Sequence, residues 1–436
     1  MGTEITLDIG GVAIDWSKNA IGDHHGPLFQ EQDRKRLHCK QVDYEYCKEH
    51  GEDPADDEMS FSRPLRSVLP RLEIMGVGLS VVREAYEAAA EEWCERRQWV
   101  THADTGLPLH EPLEPLNFEE FLVFVCAHPI SKLDTQEDWG LTGDSDRRNR
   151  GRFDGVETVA RIPFDRDLER MAYSEQSYFV AITSFLGPYL TLRLLAECPD
   201  NLDIDVVWQY GPLVSSGWVD PEDFTAGPSR RQTTLVATEG SSDVHILTHA
   251  LKLLRPDVAD FFRFIDVSDR HPFSGTGSLA NFAEGLAKID VHNQVVIVFD
   301  NDAEGVEAAA RVRRLNLPSN MGVLVLPDLE AFREFPAQGP GGVTSSDING
   351  RAAAIECYLD LRLPNRPPAQ VQWTNLKKDP DVYQGALKHK TSYMDFFLEQ
   401  TVQSLRDSGY DTSKIERVLD SLIEECSRLA TASVDI

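Results

Sequence analysis

The chain has 436 residues, of which 41% are hydrophobic and 26% charged, and its formal net charge is -29 with a pI near 4.7. No run of about 18 apolar residues is present to span a bilayer, and so acidic a composition excludes nucleic-acid binding through a broadly basic surface. The seven cysteines form no C-x-x-C pair and are odd in number, which argues against a zinc cluster and against a disulfide framework.

By length the chain holds roughly three domains. Its first residues carry no basic segment followed by an apolar block, so the cytoplasm is the expected compartment, with no membrane partner. "ITLDIGGVAIDW" alternates apolar and polar residues about Gly10-Gly11, the pattern of a β-hairpin. "DPADDEMS" (53–60) is an acidic loop, and "SVVREAYEAAAEEWCERRQWV" is strongly helical. "NFEEFLVFVCAHPI" fits either a helix or a buried strand, because a short apolar run has no decisive period. The polar stretch "DTQEDWGLTGDSDRRNRGRFDG" closes a first α+β domain, taken as 1–150. A helical connector, 151–228, follows, broken at Gly187-Pro188 and ending in the linker "DFTAGPSRRQ".

Beyond the linker, short apolar strands alternate with helices. "TTLVAT" precedes "DVHILTHALKLL", "FFRFIDV" precedes "SLANFAEGLAKI", "QVVIVFD" precedes "EGVEAAARVRRL", and "MGVLVLPD" comes last. Four β units with intervening helices predict an α/β fold with a parallel sheet and right-handed crossovers over 229–335. A C-terminal extension with helices occupies 336–436.

In open parallel sheets, ligands bind at the carboxyl ends of the strands. Here the first strand ends at Glu239, the second at Asp266 and the third at Asp300-x-Asp302. Carboxylates converging there repel one another and raise each other's pKa. A hard divalent cation such as Mg²⁺ or Mn²⁺ relieves that penalty, and two ions about 4 Å apart suit phosphodiester hydrolysis. A single D-x-D after a strand is more often a loop, and Asp243 in "EGSSD" is equally at home in a first helical turn behind an N-cap Ser241 or Ser242.

The combination of "EGSSD" at one strand end and "DNDAEG" at another, about sixty residues later with a βαβ rhythm between, resembles the Toprim domain. That Rossmann-like core of about four parallel strands is shared by topoisomerases, primases and overcoming-lysogenization-defect (OLD) nucleases. The resemblance implies that Glu239, Asp300 and Asp302 bind metal. Asp243, four residues after Glu239, is similar to the OLD-nuclease pattern, in which further acidic residues and a Lys follow. Glu356 or Asp347 fits the acidic part, and Lys390 or Lys388 the Lys. A Lys beside the scissile phosphate stabilises developing negative charge. The flanking "LTLRLLAECPDN", "VVWQYGPLVSSGWV", "FFRFIDVSDRHPFSGTGSLANF" and "INGRAAAIECYL", with the N-terminal "IDWSKN", resemble bacterial HEPN/Toprim-associated proteins.

The resemblance implies a metal-dependent endonuclease using two Mg²⁺ or Mn²⁺ ions on DNA or RNA, in defence against phage or mobile elements. Glu239, Asp300, Asp302 and Lys390 are its expected catalytic residues, and Glu239, Asp243, Asp300, Asp302 and Glu356 its metal ligands. Arg230, Arg231 and Lys388 are the nucleic-acid contacts expected nearest the site, with Arg311, Arg313 and Arg314 on the following helix. OLD-type proteins often include an ATPase, and no G-x-x-x-x-G-K-[ST] occurs here. An ATPase or sensor subunit, or a homo-oligomer, is therefore an expected partner. Two other readings stand beside this one: a non-cleaving regulatory or partner-binding module, and an RNase acting at this site or through Arg97 and His102, spaced as in the HEPN Arg-x4-His motif. His24 and His25, flanked by glycines, read as surface residues, and "GTGSLANF" reads as a tight turn entering a helix.

Overall fold

The structure, a computed structural model, describes residues 3–99, 113–140, 143–166, 172–265, 275–289, 291–363, 367–378 and 381–432. The chain divides into two compact units. One comprises Met1–Glu73 with Val77–Gly227, and the other Ile74–Gly76 with Pro228–Asp435.

The first unit is built on an antiparallel sheet of β1 (Glu4–Ile9), β2 (Val12–Lys18), β3 (Arg34–Arg36), β4 (Met59–Pro64) and β5 (Asp205–Gln209), in the order β2-β1-β5-β4-β3. The β1–β2 hairpin turns on Gly10 and Gly11, both at positive φ (60° and 85°), a conformation glycine adopts without the Cβ penalty. Ile5, Leu7 and Ile9 face the core, while Thr6 and Asp8 occupy the opposite face. Helices α1 (Tyr44–His50), α2 (Leu65–Ile74), α3 (Leu79–Trp99), α4 (Phe118–Cys126), α5 (Gly143–Arg150), α6 (Glu157–Ala160), α7 (Glu175–Thr183), α8 (Pro188–Leu195) and α9 (Gly211–Ser215) complete it. The ambiguous "NFEEFLVFVC" is the helix α4. Asn117 accepts from the Glu120 N–H at 2.9 Å while Glu120 accepts from the Asn117 N–H at 3.0 Å, a capping box that settles the choice. His25, expected at the surface, is buried, its Nε2 lying 2.9 Å from Asp15 Oδ2. Among the described residues no single helix is long and apolar enough to cross a membrane.

The second unit is mixed α/β. Strands β6 (Thr234–Ala237), β7 (Phe262–Phe264), β8 (Gln294–Phe299) and β10 (Met321–Val325) form a fully parallel sheet in the order β10-β8-β6-β7. The two-residue β9 (Asn301–Asp302) lies between β8 and β10 in the chain and outside this sheet. The apolar run of β8 follows from burial on both faces. Val296 and Val298 belong to one core with Ile246, Leu247 and Leu251 of α10 (Ser241–Leu254). Val295, Ile297 and Phe299 belong to a second with α11 (Thr276–Ala287) and α12 (Ala303–Arg313).

A second sheet, β12-β11-β14-β15, contains β11 (Phe335–Gly339), β12 (Gly342–Ser346), β14 (Val371–Lys378) and β15 (Asp381–Leu387). Between β12 and β14, β13 (Ala352–Ala353) pairs antiparallel with β9, so the segment after the D-x-D strand is tied to one fifty residues later. Helices α13 (Lys390–Leu398), α14 (Val402–Ser408) and α15 (Ser413–Thr431) end the described chain. Val418, Leu419 and Leu422 of α15 join the core that holds Val296.

Candidate functional site

The carboxyl edge of the parallel sheet gathers its acidic residues by ordinary local rules. β6 ends at Ala237, so Glu239 stands just past the strand and just before α10. The N-cap of α10 is Gly240 rather than a serine, and Asp243 reaches back to accept the Gly240 N–H at 2.9 Å. That bond turns Asp243 inward, leaving it 8% exposed. β8 ends at Phe299 and delivers Asp300 to the same edge. Asp302 caps α12, accepting from the Glu304 and Gly305 N–H groups at 3.0 and 2.7 Å. Helix capping thus accounts for one oxygen of Asp302.

The remaining bonds knit the group together. Glu239 accepts from the Asp300 N–H at 3.1 Å and from the Thr276 hydroxyl at 2.6 Å. Asp300 accepts from the Ile355 N–H at 3.0 Å, and Asp302 from the Gln384 amide at 2.6 Å. A Cβ on Gly305 would stand 2.2 Å from the Asp300 carbonyl oxygen and 3.0 Å from Glu239 Oε1, so glycine is needed for α12 to approach this closely. Gly385 plays the matching part on β15, where a Cβ would fall within 3 Å of Val371, Trp373 and Ala352. Glu356 follows the Asp300 donor Ile355 in a 3-10 turn and is 2% exposed, with Lys390 Nζ at 3.5 Å.

Burial pushes the Glu239 carboxyl up to about 7, with the charges of Asp302 and Asp243 adding to it and the Thr276 bond opposing it. Asp243 is likewise pushed up to about 7 by burial, with Glu356 next in effect and Lys390 opposing. Asp300 lies well above the usual carboxylate range, from burial first and then from Asp243 and Glu239. Desolvation and mutual repulsion both penalise the ionised forms.

The structure therefore brings Glu239, Asp243, Asp300, Asp302, Glu356 and Lys390 to one edge. Lys388 is directed elsewhere, bonded to Gln338 and lying 3.4 Å from Gln370 Oε1. Asp347 folds onto its own turn, accepting from the Asn349 N–H at 3.0 Å. Arg230 and Arg231 are exposed ahead of the amino end of β6, the opposite edge of the sheet from Glu239, so they do not flank the carboxylates. A groove of about 670 Å³ adjoins Thr276, the donor to Glu239. It begins at Thr276 and Gly277 and runs along α12 past Glu304 to Arg311 and Arg314. Arg313 instead donates to the Val323 carbonyl. Asp266 and His102 lie outside the described residues.

The sequence reading missed Thr276, Gln384 and the Ile355 N–H. Thr276 lies within "SGTGS" and is the first residue of α11, so the Gly-rich turn carried a local signal; Gln384 carried none.

The donor set fits a hard divalent cation in kind, since all five acidic groups offer oxygen. Gln384 Oε1 beside them is buried without a hydrogen-bond partner. Among the described residues, however, no three His, Cys, Asp or Glu side chains are set around one point as ligands to an ion.

No curated protein and no solved structure is significantly similar to the chain. One family model matches, that of HEPN/Toprim N-terminal domain 1, over residues 1–232, which end just before the first strand of the parallel sheet. That match takes in more than half of the 436 residues, and the protein belongs to the HEPN/Toprim N-terminal domain 1 family.

Proposed function

We propose that the second unit is a Toprim-type, metal-dependent nuclease centre of the OLD kind, cleaving nucleic-acid phosphodiesters in defence against phage or mobile elements. One observation carries this reading. Five carboxyl groups share the carboxyl edge of a parallel sheet, and three of them are held well above their ordinary pKa by burial and by one another. A fold gains nothing in stability from such a cluster without a cation to answer it. The family membership supports a nuclease-related role.

Glu239, Asp300 and Asp302 are the residues proposed to hold Mg²⁺ or Mn²⁺, with Asp243 and Glu356 serving a second ion. When bound, such ions neutralise phosphate charge and lower the pKa of water. The chain's own groups do the rest. Thr276 and the Asp300 N–H fix both oxygens of Glu239, and Gln384 and the α12 amides orient Asp302. Lys390, 57% exposed at its side chain, stands where its ammonium can face a phosphate while Glu356 holds it. The groove, lined by Glu304 and Glu307 nearer its start, leads to Arg311 and Arg314, whose guanidinium groups can contact the backbone of the substrate.

A second reading, a regulatory or partner-binding module that does not cleave, draws support from the absence of three preset ligands among the described residues. Incubating the purified protein with plasmid, single-stranded DNA and tRNA, with Mg²⁺, Mn²⁺ or chelator, separates the two. Cleavage that disappears with chelator and in Glu239→Gln supports the nuclease. Metal-dependent cleavage undiminished in Glu239→Gln overturns the site assignment, and no cleavage in any arm favours the module.

A further inference from the structure

The first unit holds a pocket unconnected with the carboxylate edge. It has a volume of about 650 Å³ and sits on the face of the antiparallel sheet opposite Ile5, Leu7 and Ile9. Its size falls in the range of small-molecule sites. Register places its floor: Thr6 pairs with Gln209, and Asp8 pairs with Val207 on one side and Ala13 on the other.

The floor accepts hydrogen bonds and offers few. Gln209 Nε2 donates to the Asp57 and Met59 carbonyls at 3.0 and 3.4 Å, which uses both amide hydrogens and leaves its Oε1 as the free end. Asp8 takes a hydrogen bond from the Thr6 side chain and has Lys40 as its nearest compensating charge. Lys40 is itself engaged, its Nζ 3.3 Å from both the Gly11 carbonyl and Glu137 Oε1. Glu137 is satisfied further by the Trp139 indole N–H at 3.1 Å. Burial holds the Asp8 carboxyl up at about 6, the behaviour of an acceptor short of donors.

The wall is aromatic. Trp139 stacks on Tyr173 with centroids 4.4 Å apart and planes 16° from parallel, yet remains 69% exposed. An exposed indole fixed by a stack and a hydrogen bond is a preformed platform for a flat ring. Glu4, Asp8 and Glu137 against Lys40 leave the lining acidic, which disfavours a phosphate.

We propose that this pocket binds an unphosphorylated guanine-type nucleoside, its adjacent N–H donors on Asp8 and its ring against Trp139. Guanine presents N1–H and the N2 amino group side by side, a pair that a carboxylate accepts with both oxygens. Inosine lacks the amino group, and adenosine places an acceptor where N1–H is required.

Isothermal titration calorimetry of the full-length protein with guanosine, inosine and adenosine tests this. Guanosine is expected to saturate, inosine to bind about tenfold more weakly, and adenosine more weakly still, since a site built for donors rejects an analogue lacking them. Asp8→Asn and Trp139→Ala are each expected to weaken guanosine at least about tenfold. Trp139 lies at the surface, so its variant carries the test if Asp8→Asn fails to fold. No saturable guanosine heat, equal binding of all three nucleosides, or guanosine binding unchanged in Trp139→Ala overturns the proposal.

Discussion

Asp243 shows how a residue can be explained locally and still demand more. Its bond to the Gly240 N–H is half of an ordinary capping box, yet the same geometry buries it toward Glu356 and Asp300. Its ordinary pKa of 3.8 becomes about 7 in the folded chain, so folding takes up a proton between those values. The stability tied to this group is full below about pH 4 and is lost as pH rises through about 7. Without added metal, Asp243→Asn should therefore melt close to the parent at about pH 4 and increasingly above it as the pH is raised to about 8. Thermal melts across that window check this, and a parallel offset at both pH values would contradict it. At this scale the sequence was legible where a strand end carries an acid, as at Glu239 and Asp300. It was opaque where the partner comes from far along the chain, as with Gln384 on Asp302, 82 residues away.

At the scale of elements, β8 is the member on which the unit depends. Its residues alternate between two cores, so each substitution strikes one layer of helices. Ile297 is fully buried in the layer of α11 and α12, which carry Thr276 and lie beside the carboxylates. Ile297→Ala should cost about 3 kcal/mol in urea unfolding, from lost burial plus the cavity left behind. A loss under about 1 kcal/mol would mean that the described packing is wrong. The four parallel strands were readable because β-branched runs alternate with amphipathic helices. The pairing of β9 with β13 was not readable, since two-residue strands have no period. The β14–β15 hairpin was hidden as well: "WTNLKKDPDVYQGALKHK" carries four Lys and two Asp residues, with a register shift between Trp373 and Asn375.

For the whole molecule, the net charge of -29 and the acidic edge pose one question: what neutralises the buried part of that charge? The single ion pair in the group is Lys390 with Glu356; Glu239, Asp243, Asp300 and Asp302 form none among the described residues, although Lys390 also acts on Asp243. The family match ends at residue 232, and all five carboxylates of the group lie beyond it. Ligands must be deprotonated to hold a metal, and binding a cation to the folded form stabilises it by mass action.

Calorimetric titration of Mn²⁺ into the full-length protein at pH 8, beside Asp300→Asn, tests the central claim most directly. The account predicts saturable binding in the parent and affinity at least about tenfold weaker in Asp300→Asn, because the charges of Asp243, Glu239, Asp302 and Glu356 all bear on that residue. Equal Mn²⁺ affinity in the two proteins, or no saturable binding in the parent, would contradict it.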